Sequence, residues 1–148
     1  MDRDQGVSEM GHEATVRHIY GHLTAHDADA FGEHLADDFV EHEDLPGEEQ
    51  TRDGVKAFFT AQFVGFSDFA ATVEDVVDGG DKVVARVRFT GTHDGEFMGI
   101  PPTGKSIDVQ AIDILLFGGD GLVHAHWGVF DAMAMMQQLG VVPEGPAA

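Results

Sequence analysis

Two consecutive apolar segments joined by a glycine-rich turn constrain the fold of this chain more than any other feature. Apolar residues alternate from Val109 to Phe117 and again from Leu122 to Phe130. A period of two predicts β-strands, and the Gly118-Gly119-Asp120-Gly121 cluster predicts the turn between them. The sequence therefore predicts an antiparallel hairpin with Phe117 opposite Leu122. Alternate residues of the two strands then share one face of this hairpin: Val109, Ala111, Asp113, Leu115 and Phe117 from the first strand, and Leu122, His124, His126, Gly128 and Phe130 from the second.

One acid and one histidine stand out on these apolar faces. In the predicted register, Asp113 lies directly across from His126, where opposing Cβ atoms are about 4.5–5.5 Å apart. Burial raises the pKa of a carboxyl group and a neighbouring imidazolium lowers it, so such a pair can donate and accept protons near neutral pH. The alternative is a buried Asp–His hydrogen bond that fixes the strand register and does no chemistry.

Helices are predicted before strands along the chain, which favours an α+β fold over alternating βαβ units. A length of 148 residues suits one domain over 1–148, with an ordered core from about residue 8 to 140. Periodicity, caps and turns predict these elements: a helix over Ser8 to His26; a short helix opened by Asp27 and Asp29; a strand over Asp38 to Glu43; a helix capped by Thr51 or Asp53; strands over Phe69 to Val77, Lys82 to Thr92, Ser106 to Phe117 and Leu122 to Phe130; a last helix from Asp131 to Gly140.

The stretch from Gly91 to Asp131 resembles a known family. GTHDGEFMGIPPTGK, then a strand with I-D-I, a Gly-rich turn, H-W and a helix ending in QQLG are similar to SnoaL-like polyketide cyclases, also called ester cyclases. VRHIYGHLTAHDADAF, ADDFVEHE and RDGVKAFF match more loosely. The resemblance implies the nuclear-transport-factor-2-like fold: a cone-shaped domain whose curved, mostly antiparallel sheet wraps around three N-terminal helices, with a short C-terminal helix. It also implies a pocket and a homodimer formed through the outer sheet surface.

The resemblance also assigns residues to a site. The residue after the H-W doublet in those cyclases is typically the aspartate that acts as general acid/base of an aldol ring closure, and here it is Gly128. An asparagine found in some cyclases corresponds loosely to Glu41, with His42 beside it. Asp113 stands where those cyclases have a histidine in the pocket. If catalysis survives, Asp113, His126 and Glu41 are the expected catalytic residues. Glu41 and His42 fit a solvated acidic strand end equally well.

Further residues are expected to bind the substrate. Gly99 to Ser106 matches the literal G-x-x-x-x-G-K-[ST] pattern of a phosphate loop, but two prolines remove backbone donors and a strand follows instead of a helix. The resemblance makes this loop the rim of the pocket. Three phenylalanines of the third helix, with Tyr20, form either a cavity wall or simply core: Phe58, Phe59 and Phe63. The expected substrate-binding residues are Tyr20, His42, Phe59, Met98, Ile100 and Gly128.

The other histidines predict no metal site. His18, His22 and His26 have metal-ligand spacing along the first helix, but they lie mostly off its apolar stripe and are expected to be a solvated row. His124 and His126 share a predicted strand face and could join Asp113 around an ion, although a motif this short is weak evidence. His93 is expected at the surface. Neither a metal nor another cofactor is expected.

Charge limits the partners. The chain has 27 Asp plus Glu against 8 Lys plus Arg, a net charge of −19, and no cysteine. Such a surface repels nucleic acids and anionic membranes. It fits a cytosol of very high salt, with an acidic protein of an ordinary cytosol as the alternative. The N-terminal residues lack a signal-peptide pattern, so a soluble cytoplasmic protein is expected.

Three functions remain open from the sequence. The first is an enzyme that binds a small hydrophobic, oxygenated molecule and catalyses cofactor-free aldol cyclisation, isomerisation or hydrolysis. The second is a binding protein that has lost catalysis with the family aspartate, as Gly128 suggests. The third is a small subunit that mainly builds dimers. The fold alone does not choose among them.

Overall fold

The computed structural model describes residues 11–143, which form four helices and a five-stranded sheet. Residues 8–10 of the predicted first helix lie outside the described residues. In chain order the elements are α1 (Glu13–Thr24), α2 (Ala28–Gly32), β1 (Leu35–Glu41), α3 (Arg52–Gly65), β2 (Ala70–Asp78), β3 (Lys82–Thr92), β4 (Ser106–Phe117), β5 (Val123–Phe130) and α4 (Ala132–Leu139).

The sheet has the strand order β1-β5-β4-β3-β2, so the first strand pairs with the last. That one pair is parallel, and the other three pairs are antiparallel. The predicted α+β fold with a curved, mostly antiparallel sheet is therefore confirmed. Strand β1 begins three residues before the predicted Asp38, because Leu35 and Ala36 are already buried in the core. It ends at Glu41 and not at the predicted Glu43.

Side-chain caps set the ends of the helices where the sequence places them. Asp27, Thr51 and Asp131 each accept a hydrogen bond from the backbone N–H three residues later, which satisfies a donor that the first turn leaves unpaired. Gly140 ends α4 in the left-handed conformation at φ 76°. These four predictions are confirmed, and Thr51 rather than Asp53 caps α3.

The predicted register of the β4–β5 hairpin is wrong by two residues. Asp113 pairs with Gly128, and His126 pairs with Leu115. The turn and a bulge each contribute one residue of this shift. Phe117 pairs with Val123 instead of Leu122, and Leu116 then pairs with Ala125, so His124 has no partner across the ladder.

The bulge also changes which side chains share a face. Val123 is fully buried, and His124 turns to Asp120 and Asp38 at the hairpin end of β5. The prediction that Leu122 and His124 share a face with His126 is therefore wrong.

The hydrophobic core lies between the helices and the concave face of the sheet. Alternate residues of β3 and β4 are buried there, among them Val83, Val87 and Val109. The α1 stripe of Val16, Ile19, Tyr20 and Leu23 packs onto the same core. Each fully buried aliphatic side chain contributes about 1.5–3 kcal/mol. Within residues 11–143, no helix combines the length and the apolar character that crossing a membrane requires.

Candidate functional site

A partly enclosed cavity of about 90 Å³ opens between the helices and the concave face of the sheet. One water needs roughly 10–15 Å³ of such space, so the cavity can hold a small organic molecule. Its walls are largely aromatic and aliphatic, and α3 adds the amide of the buried Gln62. The apolar walls include Ile19, Leu23, Phe31, Phe39, Phe58, Phe59, Phe69, Phe89, Val109, Leu115, Phe130 and Met135.

Five ionisable side chains face this otherwise apolar cavity. They are Tyr20 of α1, Glu41 and Glu43 at the end of β1, Asp113 of β4 and His126 of β5. Glu41 is only 3% exposed and Asp113 only 5%. Burying charged groups is costly unless they are paired, so this group needs internal partners.

Hydrogen bonds connect four of these side chains into one chain. His126 lies between two carboxylates, with its Nε2 2.9 Å from Asp113 Oδ1 and its Nδ1 2.5 Å from Glu41 Oε1. The Tyr20 hydroxyl donates to Asp113 Oδ2. The predicted Asp113–His126 contact therefore forms, as a diagonal pair and not as the directly opposed pair that the sequence indicates.

His126 carries the compensating positive charge of this chain. Burial alone lowers its pKa, but hydrogen bonds to Asp113 and Glu41, together with their charges, raise the pKa from 6.5 to about 10. Both ring nitrogens then donate, as two ionised carboxylate acceptors require. Burial, and after it the charge of Asp113, raises the pKa of Tyr20 well above its ordinary value, so its hydroxyl keeps the proton that it donates.

Glu43 is the cavity side chain that titrates near neutral pH. Burial raises its pKa from 4.5; His126 opposes the rise, the charges of Asp113 and Glu41 add to it, and the result is about 7. The backbone N–H of Glu43 donates to Glu41 Oε1 at 2.9 Å, so the segment after β1 is attached to the hydrogen-bond network through Glu41. Among residues 11–143 the Glu43 carboxylate makes no hydrogen bond, so it is free to meet a ligand.

Replacing Glu43 by glutamine is expected to stabilise the protein in a pH-dependent way. Because the folded-state pKa is raised, the ionised carboxylate of Glu43 destabilises the fold. This destabilisation is absent below pH 4.5, grows as the pH rises and is complete above about pH 7. With a discount for the partial exposure of Glu43, we expect a gain of about 1–2 kcal/mol at pH 8 and none at pH 4.5. Urea unfolding at both pH values measures it. The exposed Glu48→Gln variant is the control, and an equal gain at both pH values would contradict the assignment.

Gly128 makes room for the Asp113–His126 hydrogen bond. A Cβ atom at position 128 would overlap Asp113 Oδ1 and would lie 2.8 and 2.9 Å from His126 Cε1 and Nε2. Asp113 and Gly128 are direct cross-strand partners. A side chain at 128 therefore requires Asp113 or His126 to shift from its present position.

Four of the six residues expected to bind substrate do not line the cavity: His42, Met98, Ile100 and Gly128. Met98 is more than half exposed and, with Ile100, belongs to a loop whose Phe97 packs on Gly65 and Phe66. The structure thus places Met98 and Ile100 outside the lining of this cavity, because the loop folds back on the end of α3.

His42 also points away from the cavity. It is exposed and stacks on Trp127, with ring centroids 4.6 Å apart. A solvated strand end thus describes His42, whereas its neighbour Glu41 is buried in the network. Tyr20 and Phe59 do line the cavity, and Gly128 lies beneath the network.

The remaining histidines also differ from expectation. His93 is fully buried, not at the surface, because its Nδ1 bonds to Thr103 Oγ1 at 3.0 Å and its ring packs on Phe66 and Phe97. His26 stacks on Phe63 and bonds to the Phe69 carbonyl oxygen, so it does not belong to a solvated row.

Glu43 is the site residue that sequence reasoning missed. The acidic run EHEDLPGEE hides it among exposed carboxylates. Strand alternation places Glu41 and Glu43 on one face, with His42 on the other, and this was the available signal.

Fold and site together define the class: an α+β protein of the nuclear-transport-factor-2-like type, with ionisable groups in an apolar cavity. The family model for SnoaL-like polyketide cyclases matches residues 14–139, so the chain belongs to that family. No protein of curated function matches the sequence significantly.

Solved structures of Streptomyces proteins are similar over nearly the whole chain. TsrD from Streptomyces laurentii is 29% identical, with a TM-score of 0.78 over 96% of this chain and 99% of that one. AclR from Streptomyces galilaeus, provisionally assigned as a hydroxylase, is 26% identical, with a TM-score of 0.80 over 90% and 83%. IdmH from Streptomyces antibioticus, provisionally assigned as a polyketide cyclase, is 30% identical, with a TM-score of 0.70 over 94% and 99%.

Proposed function

We propose that this protein binds a small, hydrophobic, oxygenated molecule in the cavity and catalyses cofactor-free acid–base chemistry next to a carbonyl group. The observation that carries the proposal is the convergence of Asp113, Glu43 and His126 on one apolar cavity. Apolar walls bind the carbon skeleton, while a few polar groups orient its oxygen atoms. Family membership supports a polyketide-like ligand.

Asp113 is the proposed proton acceptor. In our proposal the acid/base aspartate of the cyclases corresponds to position 128, and Asp113 lies directly across the ladder from Gly128. Its Oδ1 occupies the space into which a side chain at 128 would grow. In this proposal the carboxylate has moved to the opposite strand and still faces the cavity, so the glycine does not by itself mean lost catalysis.

Glu43 is the proposed proton donor. With a pKa of about 7 it is half protonated at neutral pH, where a general acid is most effective. In an aldol ring closure, Asp113 takes a proton from the carbon beside a carbonyl, and the resulting enolate carbon bonds to a second carbonyl carbon. Glu43 then protonates the new alkoxide. An isomerisation uses the same two carboxyl groups, and the proton returns to a different carbon.

His126 is the proposed positioning residue. Both of its ring nitrogens are occupied by carboxylates, so it keeps Asp113 in place and supplies a fixed positive charge near the developing enolate. Glu41 holds the far side of the ring. Tyr20 occupies the second oxygen of Asp113.

Hydrogen–deuterium exchange at the α-carbon of a ketone tests the proposal without the natural substrate. We expect the protein to accelerate exchange of 1-indanone in D₂O, followed by proton NMR. Loss of a general acid or base typically costs 10²–10⁴-fold, so Asp113→Asn is expected to slow exchange by about that factor. The exposed Glu48→Gln variant is the control. Exchange by Asp113→Asn at the wild-type rate would remove Asp113 from the mechanism.

A binding protein without catalysis is the second candidate. The observation that favours it is that both oxygens of Asp113 already accept hydrogen bonds, from Tyr20 and His126. In this case 1-indanone or a related ketone binds in the cavity, and its NMR chemical shifts change saturably as the protein is titrated in. Its α-protons then exchange no faster than in buffer.

A further inference from the structure

A cluster of three imidazoles lies outside the cavity, between the first helix and the start of the sheet. His18 and His22 come from α1, and His34 from the turn between α2 and β1. One ring nitrogen of each lies within 4.8 Å of those of the other two. None of the three lines the cavity, so the cluster is separate from the site described above.

The geometry of the cluster suits a metal ion. His22 Nε2 and His34 Nε2 are 3.2 Å apart. Two nitrogens bound at 2.0–2.1 Å to a tetrahedral ion are separated by about 3.3–3.4 Å. The wider pairs need to approach by no more than about 1.5 Å, a shift that the exposed side chain of His18 can make by rotation.

The backbone holds the ligands on rigid elements. His18 and His22 are separated by one helical turn, so their side chains project from the same face of α1. Val123 donates its N–H to the His34 carbonyl oxygen at 2.8 Å, and His34 donates its own N–H to the Phe31 carbonyl oxygen at 3.2 Å. A preorganised donor set of this kind lowers the cost of binding an ion.

These three rings differ from the other paired histidines of the chain in their partners. His124 and His126 both pair with carboxylates. In the part of the chain that the structure describes, the His18, His22 and His34 side chains have no carboxylate partner and contact one another instead. His18 and His22 lie off the buried stripe of α1.

We propose that His18, His22 and His34 bind one divalent ion of the zinc class. Three neutral imidazoles select Zn²⁺, Co²⁺, Ni²⁺ or Cu²⁺ over Ca²⁺ and Mg²⁺, which prefer oxygen ligands. The ion joins α1 to the start of β1, and a water completes its coordination. Because binding requires the folded arrangement, the ion stabilises the protein. The net charge of −19 favours approach of any cation.

Calorimetric titration of the EDTA-treated protein with ZnCl₂ tests this proposal. We expect saturable 1:1 binding and, at free Zn²⁺ a hundredfold above Kd, a rise of about 5–10 °C in the unfolding midpoint. His18→Gln and His34→Gln are each expected to weaken binding at least tenfold. Because His18 is exposed, His18→Gln keeps the fold intact. Co²⁺ should give the visible bands of a nitrogen-ligated, low-coordinate ion in the wild type but not in His18→Gln or His34→Gln.

Two controls separate this site from the acidic surface. His124→Gln, which changes a histidine paired with Asp120, is expected to bind Zn²⁺ as the wild type does. MgCl₂ at the same concentration, which reports carboxylate binding, is expected to give no saturable 1:1 signal. Wild-type affinity for Zn²⁺ in both His18→Gln and His34→Gln, or no saturable binding to the wild type, would overturn the proposal.

Discussion

Gly128→Asp is expected to destabilise the protein by about 3–5 kcal/mol and not to add a working acid. The new Cβ would collide with Asp113 Oδ1 and crowd the His126 ring, so one of them must shift and we expect the buried hydrogen bond between them to break. Breaking a buried ion pair typically costs that much. The substitution also adds a carboxylate to a cavity wall that already holds three. Urea unfolding at pH 7 measures the loss.

A glycine with open space around it provides the control for this substitution. Gly119 lies in the hairpin turn, and a Cβ there meets no atom within 4 Å. Gly119→Asp is therefore expected to change stability by less than about 0.5 kcal/mol. If Gly128→Asp were as stable as Gly119→Asp, the Asp113–His126 hydrogen bond would not require a residue without a side chain at position 128.

His126→Leu is the second substitution with a large expected effect. Leucine removes the cation between Glu41 and Asp113 and leaves two buried carboxylates without compensation, which costs about 3–5 kcal/mol at neutral pH. The raised folded-state pKa of His126 stabilises the wild type fully below pH 6.5, and this contribution is lost as the pH rises through about 10. The deficit of the variant is therefore expected to shrink towards pH 10, as measured by unfolding from pH 6.5 to 10.

His124→Leu separates this effect from the loss of any histidine on β5. His124 lies two residues away and pairs with Asp38 and Asp120 at the surface. Exposed pairs contribute about 0–1 kcal/mol, so this variant is expected to be nearly as stable as the wild type. Equal losses of unfolding free energy in the two leucine variants would mean that the buried network stabilises the protein no more than the exposed pairs of His124 do.

The fold was predictable because its signals are local. The alternation in β3 and β4, the caps at Asp27, Thr51 and Asp131, and the glycine stop at Gly140 each follow from one short segment. The Asp113–His126 contact was predictable for a related reason: two polar residues on apolar strands joined by one turn have few other partners.

The rest of the site depends on features that a sequence pattern does not show. The turn and the bulge at His124 each shift the register by one residue, and only pairing across the whole sheet fixes it. Glu41 reaches His126 through the parallel β1–β5 pair, which joins residues 85 positions apart. The 93–105 loop carries apolar residues that suit a pocket rim, but contacts of Phe97 with the end of α3 draw it away.

Exchanging the residues at the two facing positions tests the central claim most directly: that the Asp113 carboxylate does from β4 what a carboxylate at 128 would do from β5. The double variant Asp113→Gly, Gly128→Asp returns the acid to β5 and removes the overlap. Neighbouring residues that share one role couple by about 0.5–3 kcal/mol. We predict that the double variant is more stable than the sum of the two single variants implies, and that it exchanges 1-indanone α-protons faster than either. Additive losses of stability, with exchange no faster than in the single variants, would contradict the account.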